Sequence, residues 1–392
     1  MANNNKHTGP NVPALRFPEF SGEWDSCTLG DITNNFSRRN KDRIQYPMFS
    51  VTNNRGFVPQ SEQFEDREMV GEDIQAYKVI EKGDFAYNPA RINVGSIAKY
   101  EGNGKCMISS LYVCFNTIDC IDRDWFMHLL KTPKMNFYYN LNGEGGVRVY
   151  LFYPNFARIR SSYPSLAEQK KIAAMLSLID ERIATQSKII EELTTLRSAL
   201  LEKVFQVSNP TLEVGAIAHQ TSERNKLCRY SNVLSVSNRF GFINQSEQFE
   251  DRNVASDDVR NYKVVHRGDF AYNPARINVG SIAMLKNFES GIVSPMYICF
   301  QVDDTIVDPS FFELFLETKA FKDEMEIRLE GSVRRCLSFE ALCEIHLPRP
   351  ALLVQRLISD KIGNISSKIK LEDRILRAYI RQKEWLLKQM FI

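Results

Sequence analysis

The chain has 392 residues, 43% of them hydrophobic and 25% charged, an ordinary globular balance with room for two or three domains with proper cores. A net charge of +2 neither supports nor excludes a polyanionic partner, because a balanced total can hide a basic face such as Arg38-Arg39-x-Lys41-x-Arg43. No run of about 18 apolar residues occurs, so no transmembrane helix is expected.

The first ten residues are polar and lack an apolar stretch, so they read as neither signal nor transit peptide but as a flexible tail, taken to residue 14. The eight cysteines are scattered without a Cys-x-x-Cys pair. Metal or disulfide use is therefore not expected, and a cytoplasmic, reducing location is.

Further along, Ser61–Ala98 returns as Ser246–Ala283, 185 residues later, with 27 of 38 positions identical and an unbroken run of 16 from Gly83/Gly268 to Ala98/Ala283. Upstream, Ser50-Val51-Thr52-Asn53-x-x-Gly56-Phe57 faces Ser235-Val236-Ser237-Asn238-x-x-Gly241-Phe242, and Leu29-Gly30-Asp31-Ile32 faces Val214-Gly215-Ala216-Ile217. Downstream, Ser109-x-x-Tyr112-Val113-Cys114-Phe115 faces Ser294-x-x-Tyr297-Ile298-Cys299-Phe300. Alternating β-branched and aromatic residues, punctuated by Gly, Asn and Pro, predict short strands in two mixed α/β globules of roughly 150 residues each.

Each globule leads into a helical stretch. Ser165–Phe205 holds no Pro or Gly, and Ile172, Leu176, Ile179, Ile183, Ile190, Leu193, Leu200 and Val204 recur at coiled-coil spacing. At an offset of 186 the ladder repeats as Ile358, Ile362, Ile365, Ile369, Leu376, Tyr379, Leu386 and Met390, with Gln186 and Glu372 as a shared polar interruption. A helix of this length spans about 60 Å. Two matched seams can cover each other by pairing; the competing arrangement packs each helix on its own globule. The expected division is a first globule over 1–163, a helix over 164–206, a second globule over 207–349 and a helix over 350–392. The fold class is mixed α/β (α+β). In it the helices form an antiparallel coiled coil with pseudo-two-fold symmetry, and the globules sit at opposite ends of a rod.

Catalytic chemistry is hard to find. The five histidines (7, 128, 219, 266, 346) are isolated, and neither a G-x-G-x-x-G nor a G-x-x-x-x-G-K-[ST] phosphate cradle is present. Asn88-Pro89-Ala90-Arg91, repeated as Asn273-Pro274-Ala275-Arg276, resembles the loop with which amino-methyltransferases grip a flipped adenine. It lacks the second proline and the aromatic, and so reads as a turn after a strand. Glu168-Gln169-Lys170 has no upstream Pro-Asp of a nuclease site. It falls at a helix start, where Glu168 complements the helix dipole.

Several of these pieces together closely resemble the specificity (S) subunit of type I restriction-modification systems. They are GDFAYNPARINVGSIA, the S-x-x-Y-V/I-C-F strand, Pro164-Ser165-Leu166-Ala167-Glu168-Gln169-Lys170-Lys171-Ile172 leading into a coiled-coil helix, and the opening Leu15-Arg16-Phe17-Pro18-x-Phe20 with Trp24. The resemblance implies two target recognition domains, each reading one half of a split, asymmetric site on double-stranded DNA. It implies helices that set the spacer and hold two methyltransferase (M) subunits, with two restriction (R) subunits added. It also implies that the chain itself is non-catalytic, with S-adenosylmethionine, ATP and Mg belonging to the partner subunits, which methylate adenine N6 or cleave. One departure stands out: the second helix opens Pro350-x-x-x-Val354-Gln355, with valine in place of the family glutamate. Gly363 inside that helix costs about 1 kcal/mol against alanine.

DNA contact calls for Arg or Lys on phosphates and Arg, Asn, Gln or Lys on base edges. The candidates are Arg38, Arg39, Lys41, Arg43, Arg55, Asn88, Arg91, Asn93 and Arg148 in the first globule, and Arg239, Asn273, Arg276, Asn278, Arg334 and Arg335 in the second. Shared residues such as Arg91/Arg276 are assigned to common structure or backbone contact. Base reading is assigned to divergent segments, Phe36–Arg43 and Gly143–Arg148 against Arg224–Tyr230 and Gly331–Arg335. The two rival functions are a self-contained DNA methyltransferase, which the missing cofactor motifs disfavour, and a coiled-coil adaptor that binds protein.

Overall fold

The structure, a computed structural model, describes residues 11–63, 74–145, 149–206, 211–245, 258–331 and 335–392. The chain packs into two compact units. Unit 1 comprises residues 1–187 and 374–392, and unit 2 residues 188–373. No helix among the described residues is long and apolar enough to cross a membrane.

In unit 1 the strands are β1 (Asp25–Thr28), β2 (Thr33–Phe36), β3 (Phe49–Thr52), β4 (Gly56–Pro59), β5 (Lys78–Ile80), β6 (Phe85–Tyr87), β7 (Ile97–Lys99), β8 (Cys106–Ile108), β9 (Val113–Thr117) and β10 (Arg160–Tyr163). The central sheet is antiparallel in the order β2-β9-β6-β7, and β3-β4, β5-β8 and β1-β10 form separate pairs. The register sets Phe85 opposite Phe115, whose rings stack at 5.2 Å. Helices α1 (Arg123–Leu130) and α2 (Pro133–Asn142) cover that sheet with Trp125, Phe126 and Leu129. Each starts where the sequence supplies a cap: Asp122 accepts the amides of Asp124 and Trp125, and Thr132 accepts that of Met135, with Pro133 in the first turn.

Unit 2 repeats this plan. Its strands are β11 (Thr211–Glu213), β12 (Ala218–Thr221), β13 (Leu234–Ser237), β14 (Gly241–Asn244), β15 (Lys263–His266), β16 (Phe270–Tyr272), β17 (Ile282–Met284), β18 (Ser290–Val293), β19 (Ile298–Val302) and β20 (His346–Pro348). The order β12-β19-β16-β17 copies the first central sheet, and Phe270 faces and stacks on Phe300 at 5.3 Å. Its two covering helices, Pro309–Glu317 and Lys319–Arg328, are capped by Asp308 and Thr318.

The long helices are α3 (Leu166–Gln206) and α4 (Leu352–Gln389). Each unit holds parts of both. In unit 1, Ile172, Leu176 and Ile179 from the start of α3 share one core with Leu386, Leu387, Met390 and Phe391 from the chain's end. There the two run antiparallel: Asp180 bonds Lys383, and Arg182 lies 6.0 Å over the ring of Tyr379. In unit 2, Ile358 and Ile362 near the start of α4 share a core with Leu201 and Phe205, and Arg197 donates to the Ser366 hydroxyl at 2.7 Å. Helix pairing and packing on a globule therefore occur together in each unit. The ladder needs one correction. Leu200, expected in the seam, is exposed, and Leu201 is buried instead. In unit 2 the buried face of α3 runs through Leu201 and Phe205, one residue on from the expected seam.

A glutamine fixes each helix start to its globule. Buried Gln169 accepts the amide of Asp122 at 2.7 Å and donates to the carbonyls of Cys120 and Pro164. Gln355 makes the same three bonds, to Asp308, Ile306 and Pro350. Glu168 does more than complement the helix dipole. It is 1% exposed and takes a bidentate bond from Arg16, at 2.9 and 2.8 Å. Arg16 belongs to the segment before β1, just beyond the tail expected up to residue 14. Asn11 donates to the Trp24 carbonyl and accepts the Trp24 amide, and Leu15 bonds Gln389. Met1–Pro10 lie outside the described residues. The second globule is entered from α3, and Val354 is 43% exposed. A carboxylate there would have no strap to hold.

Candidate nucleic-acid interface

Two groups of exposed basic residues stand on the first globule. One is the loop after β2. Asn40, 3% exposed, is its keystone: its amide bonds the Tyr77 carbonyl, its side-chain nitrogen reaches the Ile44 carbonyl at 2.8 Å, and its side-chain oxygen accepts the Ile44 amide at 3.1 Å. The loop closes around this buried side chain and leaves Arg39, Lys41 and Arg43 in solvent. Arg43 takes a left-handed conformation, φ 53°, which costs a non-glycine residue about 1 kcal/mol and marks a loop held by its surroundings.

The second globule builds the same loop. Asn225 bonds Tyr262 and bridges both backbone groups of Tyr230, at 2.8 and 3.2 Å, and Cys228 takes the left-handed position with φ 50°. Arg224 and Lys226 are exposed where Arg39 and Lys41 are. By sequence, Arg224–Tyr230 is a divergent segment, and neither Arg224 nor Lys226 is among the candidates above. The signal was available in Arg39-Asn40-Lys41 against Arg224-Asn225-Lys226 at the 185 offset. Beyond that triplet the loops differ, Asp42-Arg43 against Leu227-Cys228-Arg229.

Arg38 is engaged elsewhere. It pairs with Glu81 at 2.6 Å and with Asp84, and lies 4.2 Å over the Phe36 ring. Bonds from Lys105 and Arg38 hold the Glu81 carboxyl below its ordinary pKa, whereas burial raises that of Asp84 against the pull of Arg38. In unit 2 the polarity reverses: Glu223 stands in place of Arg38, 3.7 Å from His266 in place of Glu81.

The second group surrounds the Asn-Pro turn. The Asn88 side chain accepts the Ala90 amide at 3.0 Å, as Asn273 does from Ala275 at 3.1 Å, so the doubled motif is a turn. It leaves Arg91 and Arg276 exposed. The turn ends at Gly95, φ 100°, where an added Cβ would stand 3.4 Å from the Asn53 carbonyl, so the turn abuts the β3–β4 hairpin tip that carries Arg55. On its other side Pro89 accepts the Leu151 amide at 3.0 Å, closing the loop whose ends pair at Glu144 and Tyr150. The structure therefore brings Arg55, Asn88, Arg91 and Asn93 together with the stem of the Arg148 loop. Arg148 and Arg334 themselves lie outside the described residues. Arg55 pairs with Glu62 at 2.8 Å in solvent, and Asn93 donates to Asn140 at 3.0 Å. In unit 2, Leu337 bonds Pro274 at 3.1 Å and Asn278 is exposed. Arg239 lies over Phe240, and Arg335 is occupied by the side chain and carbonyl of Glu326.

Residues 22–195 match the family described as Type I restriction modification DNA specificity domain. Two curated proteins of Methanocaldococcus jannaschii are similar. The putative type I restriction enzyme MjaX specificity subunit is 25% identical over 208 residues, 50% of this chain and 48% of that one. The type I restriction enzyme MjaVIII specificity subunit is 25% identical over 248 residues, 55% and 57% respectively. The chain thus spans about half the length of the curated relatives it matches. Among solved structures, the S subunit of a type I restriction-modification system from M. genitalium superposes with TM-score 0.59 at 15% identity, covering 97% of this chain and 99% of that one. A chain from a study of complex assembly and conformational transition of the type I R-M system gives TM-score 0.54 at 14% identity, covering 94% and 97%. These two likenesses show the fold.

Proposed function

We propose, for a chain that belongs to the type I restriction-modification specificity family, that each globule binds one half of a split site on double-stranded DNA. The observation that carries the reading is the twice-built Arg-Asn-Lys loop. A buried asparagine spends its whole amide on holding the backbone, and two cations are left pointing at solvent in both globules. Rigid loops with exposed Arg and Lys suit phosphate contact that fixes register. Asp42-Arg43 and Leu227-Cys228-Arg229, where the loops differ, are then the places for base reading.

The chain supplies recognition and scaffolding, and the chemistry belongs to partners. Two methyltransferase subunits bring S-adenosylmethionine for adenine N6 methylation, and two restriction subunits bring ATP and Mg for cleavage. The complex works in the cytoplasm. Because the loops share so much, the half-sites are related, each read on the opposite strand.

Single-molecule methylome sequencing of a host carrying this chain with its methyltransferase subunit tests the reading. The expected result is adenine methylation at one bipartite motif, with an altered half when Asp42-Arg43 is replaced by Leu-Cys-Arg. No motif-dependent methylation, together with no duplex binding by the complex, leaves the protein-binding adaptor.

A further inference from the structure

Beside the hairpin tip and Asn-Pro turn of unit 1 lies an open cleft of about 630 Å³, lined by Asn53, Asn93, Lys131, Asn136, Glu384 and Lys388 together with apolar side chains. Lys131 ends α1, and Lys388 sits in the last turn of α4. Neither forms an ion pair among the described residues. Burial first, and then Lys383, push the Lys131 ammonium below the ordinary lysine pKa, against the opposing pull of Asp180. Two lysines against one glutamate, Glu384, leave the cleft lining with a net positive charge that attracts an anion.

Unit 2 has the same framework with the opposite charge. At the 186 offset, Glu317 replaces Lys131 and Glu202 replaces Lys388. Both are already satisfied, Glu317 by Arg197 at 2.7 Å and Glu202 by the Lys319 amide at 3.0 Å. The bias extends along the covering helices. Arg123–Asn142 carries three basic residues against one acidic, and Pro309–Arg328 three against five.

We propose that the unit 1 cleft seats a backbone phosphate of duplex DNA between Lys131 and Lys388, and that unit 2 makes no equivalent contact. The inference rests on the DNA-recognition reading and adds an asymmetry to it: one half-site is gripped at an extra point on the backbone. A phosphate is favoured over other anions by continuity, since Asn53 and Asn93 on the cleft wall belong to the turns that also carry Arg55 and Arg91. Lysine suits such a contact as a point charge that needs no bidentate geometry. Glu384 faces the same cleft and opposes an anion, so it weakens the grip it adjoins.

The test is the salt dependence of binding to a mixed-sequence 40-base-pair duplex by the full chain, co-purified with its methyltransferase subunits. Each phosphate contact contributes about 0.9 to the slope of log affinity against log salt. Lys131→Gln with Lys388→Gln removes the one phosphate contact and lowers the slope by about 0.9, Lys388→Gln alone lowers it by part of that, and the two arginine replacements restore it. Lys388 is exposed, so its single substitution reads the contact without threatening the fold. Glu384→Gln raises affinity roughly two- to five-fold at fixed salt. In unit 2, Lys203→Gln with Lys322→Gln leaves the slope unchanged. An unchanged slope for the Lys131/Lys388 variant, with wild type still salt-dependent, overturns this inference alone. Loss of the methyltransferase subunits from that variant with an unchanged slope overturns it in favour of an acidic protein surface. A wild-type complex that binds no duplex overturns both this inference and the functional reading.

Discussion

Units 1 and 2 share a skeleton down to single hydrogen bonds, yet they differ in what holds their charged groups. Gln169 and Gln355 make matching triplets of bonds, and Asn40 and Asn225 close matching loops. Lys78 and Lys263 reach the carbonyls of Tyr112 and Tyr297 at 2.5 and 2.6 Å. Against that constancy, unit 1 buries Glu168 under Arg16 and places His128, 8% exposed, beside Asp180 and Lys383. Unit 2 has Val354, Leu314, Ser366 and Arg197 at those places. Bonds that satisfy backbone groups were kept through the duplication, because an unpaired buried amide has no cheap substitute. Ion pairs between side chains could be exchanged in both members at once.

That contrast can be broken most forcefully at Arg16. Arg16→Ala strands the Glu168 carboxylate in a buried site and costs about 3–5 kcal/mol. Adding Glu168→Val, the unit 2 solution, recovers most of it. Tryptophan fluorescence during urea unfolding reads this cleanly, since Trp24, Trp125 and Trp385 all belong to unit 1. A double variant no more stable than Arg16→Ala would show that the strap matters for packing and not for charge.

The glutamine clamps sharpen the other side of the contrast. Gln169→Leu and Gln355→Leu each cost about 2–3 kcal/mol, with similar size in the two units, because each leaves a buried amide and carbonyls unpaired. Fluorescence follows the first and far-ultraviolet circular dichroism the second. Clearly unequal losses would end the equivalence.

Acid separates the units next. Burial, helped by Lys383 and opposed by Asp180, lowers the His128 pKa from 6.5 to about 4. Between these values the unfolded chain binds the proton and the folded one does not, so stability is full above about pH 6.5 and falls as pH drops toward 4. From pH 7 to pH 5 unit 1 loses about 2 kcal/mol by this route. His128→Leu, copying Leu314, removes that dependence in fluorescence-detected unfolding at the two pH values. The smallest effect is at Arg55. Its pair with Glu62 is exposed on both sides, and Arg55→Ala changes stability by about 0.5 kcal/mol or less in the same assay.

The sequence showed the duplication, the mixed α/β class, the short strands and both long helices, because each is written in spacing that survives copying. It hid what depends on partners distant in the chain. Glu168 looked like a dipole charge because Arg16 lies 152 residues away. Arg38 looked free because Glu81 and Asp84 meet it only across the sheet. The Arg-Asn-Lys loop escaped notice for a different reason. It lies outside the gapless repeat and is one residue longer in the second copy, closing on Tyr230 where the first closes on Ile44. Its matched build became visible only when both asparagines proved to be buried.

The placing of Leu386, Leu387, Met390 and Phe391 in the first globule's core has a consequence for synthesis. A ribosome makes that globule before the second but supplies these core side chains only after the second has been made. The first globule therefore waits, incompletely packed, through the making of everything that follows, exposed to the misassembly that threatens unfinished domains. The second globule already has its matching residues, Leu201 and Phe205, before its own first strand emerges. The first globule is the one that finishes packing last, and a nonsense codon near position 386 would damage it more than the second.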